Sequence, residues 1–376
     1  MSRTALWFAV FLAGCGDQAL VLTGVQPLVL TGVQPPEPPM TSQGGPILSR
    51  PTVYTVVWSG DEALGATLDT FHNDIFKDHY WSVVTAEYGV GPGVAAGVLV
   101  VPGARARTLD DAGLQSVAQA LVDAHEIPMS DDTVIDFILP SDLSTFDGMT
   151  LPDWCTRLLG YHDELAGELT LPYIVNLQCA VRKRSPMDEL TIVDSHELIE
   201  VATDPHYNTM PAWQNIWLGG SGEIGDLCND IHRSVTITDP HTITYAVARS
   251  YSAKIAAAAK DDPCTPALTT PYYNIGVTPS NILITSDSKG NGTATVTLDA
   301  FTWGAPTQMQ WSAFTYFSTV TITPVGGLLS PGESTEVTIH STGSAQPYPG
   351  VFVVMVANPS SSTVWTQEWV AALTIN

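Results

Sequence analysis

The residues with the clearest capacity for chemistry lie in VDSHELIEVATDP (193–205), which contains His196, Glu197 and Glu200 in the pattern H-E-x-x-E. Residues four apart share one face of an α-helix, so His196 and Glu200 can ligate one cation. Glu197 lies about 100° around the helix axis, where it can act as general base on a water bound to that cation. This is the H-E-x-x-H metalloprotease arrangement with a carboxylate replacing the second imidazole, and zinc accepts both ligand types.

A further ligand must come from another segment, because catalytic zinc generally has three protein ligands and a water. Glu223 and Asp226 lie in a glycine-rich stretch that runs up to Cys228. His162 lies in GYHDE, near Cys155. Both segments are polar and adjacent to a cysteine, so either can supply a ligand to a disulfide-braced site.

The same residues admit other interpretations. His196 could pack in the core while Glu197 and Glu200 face water. The acidic balance would favour calcium in a structural ion site, although the imidazole of His196 favours zinc. A carboxylate-only glycosidase would instead use two of Glu197, Glu200 and Glu223 as its catalytic pair.

Charge and missing motifs exclude several classes of function. The net charge of −24 opposes binding to nucleic acid and to anionic lipid surfaces. The sequence contains no G-x-x-x-x-G-K phosphate loop for a nucleotide and no G-x-S-x-G nucleophile motif. It also lacks C-x-x-C spacing, which argues against a cysteine zinc site. The many carboxylates are compatible with divalent cations as partners.

Residues 1–15 indicate a bacterial lipoprotein signal. Arg3 precedes the apolar run ALWFAVFLA, and LAGC places Cys15 at the expected cleavage point. Acyl chains on Cys15 would anchor the protein to a membrane without a spanning helix, on the outside of the cytoplasm in the bacterial cell envelope. The alternative is an ordinary secretory peptide with an incidental cysteine.

The remaining cysteines predict two disulfide bonds. An even number in an exported chain favours pairing, and four cysteines allow three connectivities. We predict the sequential pairing, in which Cys155 bonds Cys179 and Cys228 bonds Cys264.

The rest of the chain divides into three parts. Residues 16–46 contain the exact repeat LVLTGVQP and many prolines and glycines, which predict an extended tether. Strand and helix patterns alternate over 47–265, which indicates an α/β or α+β domain. Residues 266–376 carry about seven short strands at turn spacing, the signature of an all-β, immunoglobulin-like sandwich.

Two long helices are predicted within 47–265. Periodic apolar residues predict one helix over 62–89, with His72 and His79 at its surface. An alanine-rich run predicts a last helix over 244–260.

Several segments resemble the EXORDIUM-like, phosphate-induced protein family of plants and its bacterial secreted relatives. The resemblance covers 50–265 and is carried by VYTVVWSGD, YWSVVTAEYG, GVLVVPGA, LLGYHDE, LPYIVNLQCA, DSHELIEVATDP, GEIGDLC and YSAKIAAAAKDDPC. Ser195–Leu198, Glu200 and Glu223–Cys228 keep the family pattern, with Ile199 in place of the usual alanine. His162 matches the family's Gly-Trp/Tyr-His position.

The resemblance has two departures and one main implication. The family's Trp-Ser-Asn is YSA (251–253) here, and MPAWQNIWLGGS lengthens the loop before GEIGD. The resemblance implies a role at cell walls. It also implies a metal site, because His162, His196, Glu200 and Asp226 fall in separate matched motifs.

The sequence therefore predicts a surface-anchored lipoprotein with a zinc site on the H-E-x-x-E helix. Such a protein would be a zinc-dependent hydrolase, with a peptidase as the leading prediction and Glu197 as the catalytic base. The alternative is a non-catalytic module that binds a cell-wall glycan or an extracellular peptide, with a structural metal, zinc or calcium, or a polar network at the same residues.

Overall fold

The computed structural model describes most of the chain from residue 30 onward. The described residues are 30–36, 39–103, 105–155, 158–165, 170–179, 184–215, 218, 222–228, 235–238, 244–259, 261–267, 272–304, 306–342, 350–359 and 367–376. The predicted lipoprotein signal and Cys15 lie outside these residues. Within them, no helix is both long enough and apolar enough to cross a bilayer.

The described helices lie in the first two thirds of the chain. They are α1 (Glu62–Lys77), α2 (His79–Thr85), α3 (Asp111–Asp123), α4 (Leu151–Trp154), α5 (Pro186–Thr203) and α6 (Ala253–Ala258). Short 3-10 turns cover Ala86–Tyr88 and Asp226–Cys228.

The strands of the N-terminal part come first. They are β1 (Thr41–Ser42), β2 (Thr52–Trp58), β3 (Val94–Val101), β4 (Thr108–Leu109), β5 (Thr133–Ile138), β6 (Thr145–Phe146), β7 (Met149–Thr150), β8 (Gly160–Glu164), β9 (Pro172–Asn176), β10 (Trp213–Gln214), β11 (Val235–Thr238), β12 (Thr244–Val247), β13 (Ser250–Tyr251) and β14 (Cys264–Thr265).

The strands of the C-terminal part follow. They are β15 (Tyr273–Thr278), β16 (Asn281–Ile284), β17 (Asn291–Thr302), β18 (Met309–Thr315), β19 (Val320–Thr323), β20 (Gly326–Leu329), β21 (Ser334–Thr342), β22 (Gly350–Ala357) and β23 (Gln367–Ile375).

A five-stranded sheet organises the N-terminal part, in the order β3-β2-β5-β9-β8. Its first four strands are parallel, and β8 runs antiparallel to β9 at one edge. Side chains alternate across the sheet, so Val53 and Val57 of β2 join one apolar cluster while Val56 and Trp58 join another. Helices cover both faces, which confirms the prediction of an α/β domain.

Helices α1 and α5 lie on one face of this sheet, and α3 lies on the other. Leu68 of α1 and Leu198 of α5 pack in the first cluster, whereas Leu114 of α3 packs in the second. The alternation places His162 of β8 on the α5 side, because the next residue, Tyr161, packs against the α3 side.

Two antiparallel-rich sheets form the C-terminal part. Their orders are β15-β17-β21-β19 and β16-β23-β22-β18-β20. One apolar core joins them, with Val296 and Val337 from the first sheet and Trp311 and Phe352 from the second. This part is therefore a β-sandwich, and the part of it that the structure describes has nine strands, two more than the roughly seven that the sequence pattern predicted.

The helix predictions were wrong in two places. The helix predicted over 62–89 is interrupted at Asp78, whose backbone is extended and whose side chain accepts a hydrogen bond from the Tyr80 N–H at 2.7 Å. That cap starts α2. Among the described residues 244–259 only Ala253–Ala258 is helical, capped by Ser252, because the aromatic and β-branched residues before it form β12 and β13.

The predicted tether also differs from the structure over its described residues. Thr31 pairs with Thr302 of the sandwich. Gln34 is 8% exposed, and Met40 is buried in the cluster shared with α1 and α5. The described part of this segment is therefore attached to the folded parts at several points, although many of its residues are exposed, because it carries apolar and hydrogen-bonding side chains among its prolines.

Both predicted disulfide bonds are confirmed. Cys155 bonds Cys179, and Cys228 bonds Cys264. The second bond joins the segment that carries Asp226 to β14, which pairs with β13.

Candidate metal site

Helix α5 carries three of the predicted site residues. Ser185 caps it by accepting a hydrogen bond from the Asp188 N–H at 3.1 Å, and Pro186 occupies its first turn. Both polar and apolar side chains of α5 are buried, because the helix packs between the sheet on one side and β12 on another. Glu197 and Glu200 are therefore buried carboxylates, 5% and 3% exposed.

The segment 222–228 faces the end of α5. Its backbone is held by a hydrogen bond from the Tyr251 N–H to the Ile224 carbonyl, 2.8 Å. The Asp226 N–H donates to Glu200 Oε1 at 2.9 Å. A Cβ at Gly225 would lie 2.6 Å from Glu200 Oε1 and 2.9 Å from the His196 ring, so this close approach requires glycine.

His196, Glu200 and Asp226 form a group that we call the outer group. His196 Nε2 lies 3.3 Å from Glu200 Oε1 and 3.6 Å from Asp226 Oδ1. Ligand atoms about 2.1 Å from a tetrahedral ion lie about 3.4 Å apart, so these separations suit zinc. The side chains of His196 and Asp226 are 12% and 22% exposed, which leaves one side of the group open to solvent.

His162, Glu197 and Glu200 form a second group, the inner group. His162 Nδ1 lies 3.7 Å from Glu197 Oε2 and 3.8 Å from Glu200 Oε2. The other ring nitrogen, Nε2, lies 3.2 Å from Glu223 Oε1. The ring of Tyr207 contacts the His162 ring edge-on at a centroid distance of 5.2 Å. The inner group is almost fully buried, since the side chains of His162 and Glu197 are 2% and 7% exposed.

The structure brings the predicted residues close together, but in a different grouping from the one expected. The sequence predicted one ion held by His196, Glu200 and either Asp226 or His162, and whether these residues bind a metal stays a prediction. In the structure the potential ligand atoms fall into the outer and inner groups, which share only Glu200. Glu197, expected as the base, lies in the inner group beside His162.

Burial and the neighbouring carboxylates have opposite effects on the pKa values of the two histidines. Burial alone would lower the pKa of His162, but the carboxylates of Glu223 and Glu197 outweigh it and hold that pKa well above its usual range. The pKa of His196 is also held well above its usual range, because Glu200 and Asp226 outweigh the effect of burial.

The pKa values of two glutamates are also raised, in their case by burial. Burial raises the pKa of Glu197, against the opposing effect of His162. Burial also raises the pKa of Glu223 to about 8. Without a cation, the protonated form of each of these four side chains is therefore favoured relative to its ordinary state, and binding of a cation would displace protons.

A third polar cluster lies in the core, and the sequence analysis missed it. His72 Nε2 is 2.9 Å from Asp194 Oδ2 and 3.6 Å from Asp136 Oδ2, and all three residues are fully buried. Thr55 lies 3.2 Å from the other ring nitrogen, and the Asn176 amide donates to Asp136 at 2.9 Å. The expectation that His72 lies at the surface was wrong, because His72 is on the side of α1 that faces the sheet and is buried there. His79 is exposed, as expected.

His206 also has a partner that the sequence did not reveal. Its Nδ1 lies 2.6 Å from Glu164 Oε2, and the Thr209 hydroxyl donates to Glu164 Oε1 at 2.6 Å. These contacts fix the turn after α5 to the end of β8. They thereby support the position of Tyr207 against His162.

Comparisons with known proteins identify no family for this chain. No family model matches it, and no curated protein matches it. Among solved structures, an MSP family member from Caenorhabditis elegans, WR4, is 15% identical over 28% of this chain and 100% of its own, with a TM-score of 0.23. The ASH/PapD-like domain of human CEP192 is 12% identical over 30% of this chain and 92% of its own, with a TM-score of 0.25. Similarity at this level supports no inference about function.

Proposed function

We propose that this protein is a zinc-dependent hydrolase, with peptides as the first substrate class to test. The observation that carries the proposal is the outer group. His196, Glu200 and Asp226 present one imidazole nitrogen and two carboxylate oxygens at separations that suit one zinc ion. One side of this group is open to solvent.

An ion held by these three ligands would acidify a bound water and polarise a substrate carbonyl. The residues of the chain supply the rest of the arrangement. The Asp226 N–H donates to Glu200, and Gly225 allows the loop to approach His196 closely. The prediction that Glu197 acts as the base stays a prediction, because its carboxylate lies toward His162 on the buried side of Glu200.

The wider assignment is part of the same proposal. The resemblance of 50–265 to the EXORDIUM-like family supports a role at the cell envelope. The LAGC motif supports a lipid anchor at Cys15, and the strand pattern of 266–376 supports an immunoglobulin-like assignment for the sandwich. An extracellular or cell-wall peptide is then the expected substrate, and a glycan is the alternative ligand.

The proposal is tested with the full chain, stripped of metal and reloaded with zinc. We expect zinc-dependent cleavage of a mixed peptide library, read out by mass spectrometry. Both His196→Ala and Asp226→Asn should lower zinc affinity and cleavage together. His79→Ala, on the exposed side of α2, is the matched control and should change neither.

Each outcome is informative. Zinc binding without cleavage would reject the hydrolase and support a binding module with a structural ion. No zinc binding by the unmodified chain would reject the metal site itself.

A further inference from the structure

The two carboxylate oxygens of Glu200 face different groups. Glu200 Oε1 lies 3.3 Å from His196 Nε2 and accepts a hydrogen bond from the Asp226 N–H. Glu200 Oε2 lies 3.8 Å from His162 Nδ1, which is also 3.7 Å from Glu197 Oε2. A carboxylate in this position can bridge two cations, one on each oxygen.

The inner group has the partner that metal-binding histidines usually have. When an imidazole ligates a metal through one nitrogen, its other N–H commonly donates to a carboxylate. His162 Nε2 lies 3.2 Å from Glu223 Oε1, and neither of these buried atoms forms a well-aligned hydrogen bond with any described residue. Both residues are buried, 4% and 6% exposed. If His162 keeps its proton on Nε2, facing Glu223, and loses the proton on Nδ1 to an incoming cation, the lone pair of Nδ1 is directed toward Glu197 and Glu200.

The charge of the site also favours two cations over one. Four carboxylates, those of Glu197, Glu200, Glu223 and Asp226, lie around two imidazoles. With neutral imidazoles and ionised carboxylates, one divalent cation would leave a charge of about −2 in a mostly buried site, which is costly. Two divalent cations would balance the four carboxylates.

We propose that the site holds two zinc ions bridged by Glu200, with the second ion bound by His162, Glu197 and Glu200. Glu197 is then a metal ligand, and Glu223 orients His162. Two-metal centres hold their ions about 3.5–4 Å apart and stabilise both the attacking and the leaving oxygen of a displacement. The inference rests on the proposed function for the outer ion, and it adds a second position with its own ligands.

The test is the zinc stoichiometry of the full chain. Metal-free protein is titrated with Zn²⁺ by calorimetry, and bound zinc is counted by elemental analysis after desalting. We expect two equivalents for the unmodified chain and for His79→Ala. We expect one equivalent for Glu197→Gln and one for Asp226→Asn, because each variant removes a ligand from one group only.

A spectroscopic measurement distinguishes the loss of the second ion from a folding defect. Mn²⁺ replacing zinc should give the electron paramagnetic resonance signal of a spin-coupled pair in the unmodified chain. Glu197→Gln should give the signal of an isolated ion, while its circular dichroism stays unchanged.

One zinc equivalent in the unmodified chain, left unchanged by Glu197→Gln, would overturn the two-ion site and return Glu197 to the role of base. Because no substrate is needed, this result is independent of the hydrolase test. Two ions without peptide cleavage would support the inference and reject the activity. One ion with peptide cleavage would reject the two-ion site and support the activity.

Discussion

At the scale of single residues, helix α5 presents two chemically different polar faces. Residues two apart on a helix lie about 200° around its axis, so Asp194 and His196 point to nearly opposite sides. Asp194 contacts His72 in the core, at 2.9 Å, whereas His196 contacts Asp226 of the segment that follows. One helix therefore joins a fully buried cluster of histidine and aspartate side chains to the half-open candidate metal site.

We expect His72→Ala to destabilise the protein by about 3–5 kcal/mol, because it leaves two buried carboxylates without their cationic partner. Burial and the neighbouring Asp194 already hold the pKa of Asp136 well above its usual range. Urea unfolding of metal-free protein measures the effect. His79→Ala, at an exposed position, should stay within about 0.5 kcal/mol. A loss below about 1 kcal/mol for His72→Ala would show that the cluster contributes little.

Helical spacing predicted from the sequence that His196 and Glu200 share a face, because that geometry is local. It could not choose between one ion and two, since His162 and Asp226 reach the helix through tertiary packing. The buried cluster left a weaker signal. Asp136 and Asn176 are polar residues inside otherwise apolar strands, and a polar side chain there needs a buried partner. Nothing local identified His72 as that partner.

At the scale of elements, α5, β8 and the segment 222–228 meet at the candidate metal site, and different contacts hold each of them in position. Strand β8 pairs with β9 over five residues, which fixes His162. The segment 222–228 has little regular structure, and the bond between Cys228 and Cys264 ties it to β14. The alternation of strands and helices over 47–265 could be predicted from local sequence patterns. The short strands β12 and β13 were missed, because the alanine content of the segment favours a helix whereas its aromatic and β-branched residues pair with β11 and β14.

The two disulfide bonds should therefore differ in their effect on zinc. The bond between Cys228 and Cys264 closes 36 residues of chain, and the bond between Cys155 and Cys179 closes 24. Each bond should therefore contribute about 3–4 kcal/mol to stability. We expect the double substitution Cys228→Ser/Cys264→Ser to lower zinc affinity at least tenfold, because Asp226 lies two residues from the lost bond. Calorimetric titration and thermal melting of the metal-free variants measure the two effects.

The matched control is Cys155→Ser/Cys179→Ser. That bond packs in the cluster on the α3 side of the sheet, away from the α5 face. It should lower the melting temperature by a similar amount and leave zinc affinity within about twofold. Equal loss of zinc affinity in both variants would mean that general stability, rather than the position of Asp226, controls the site.

At the scale of the whole molecule, the sandwich is packed against the α/β domain. Side chains of β22 alternate, so Phe352 and Val354 fill the sandwich core while Val351 and Val353 join the cluster that contains α1 and α5. The N-terminal segment reinforces this contact. The Gln34 amide donates to the Asp261 carbonyl at 3.5 Å, and Gln34 accepts a hydrogen bond from Trp303 at 3.1 Å. The pattern of 266–376 predicted most of the strands but not this second apolar face.

If this contact stabilises both parts, the chain should unfold as one unit, and a charge placed in the contact should separate them. We expect one calorimetric transition for the unmodified protein and two for Val353→Asp, because an unpaired carboxylate at a buried apolar position opposes the contact. Protease cleavage near 265–273 should also become faster. Leu283→Asp is the control, since Leu283 is 57% exposed on the sandwich surface. A single transition in Val353→Asp, at the temperature of the Leu283→Asp control, would show that the two parts are stable independently of their contact.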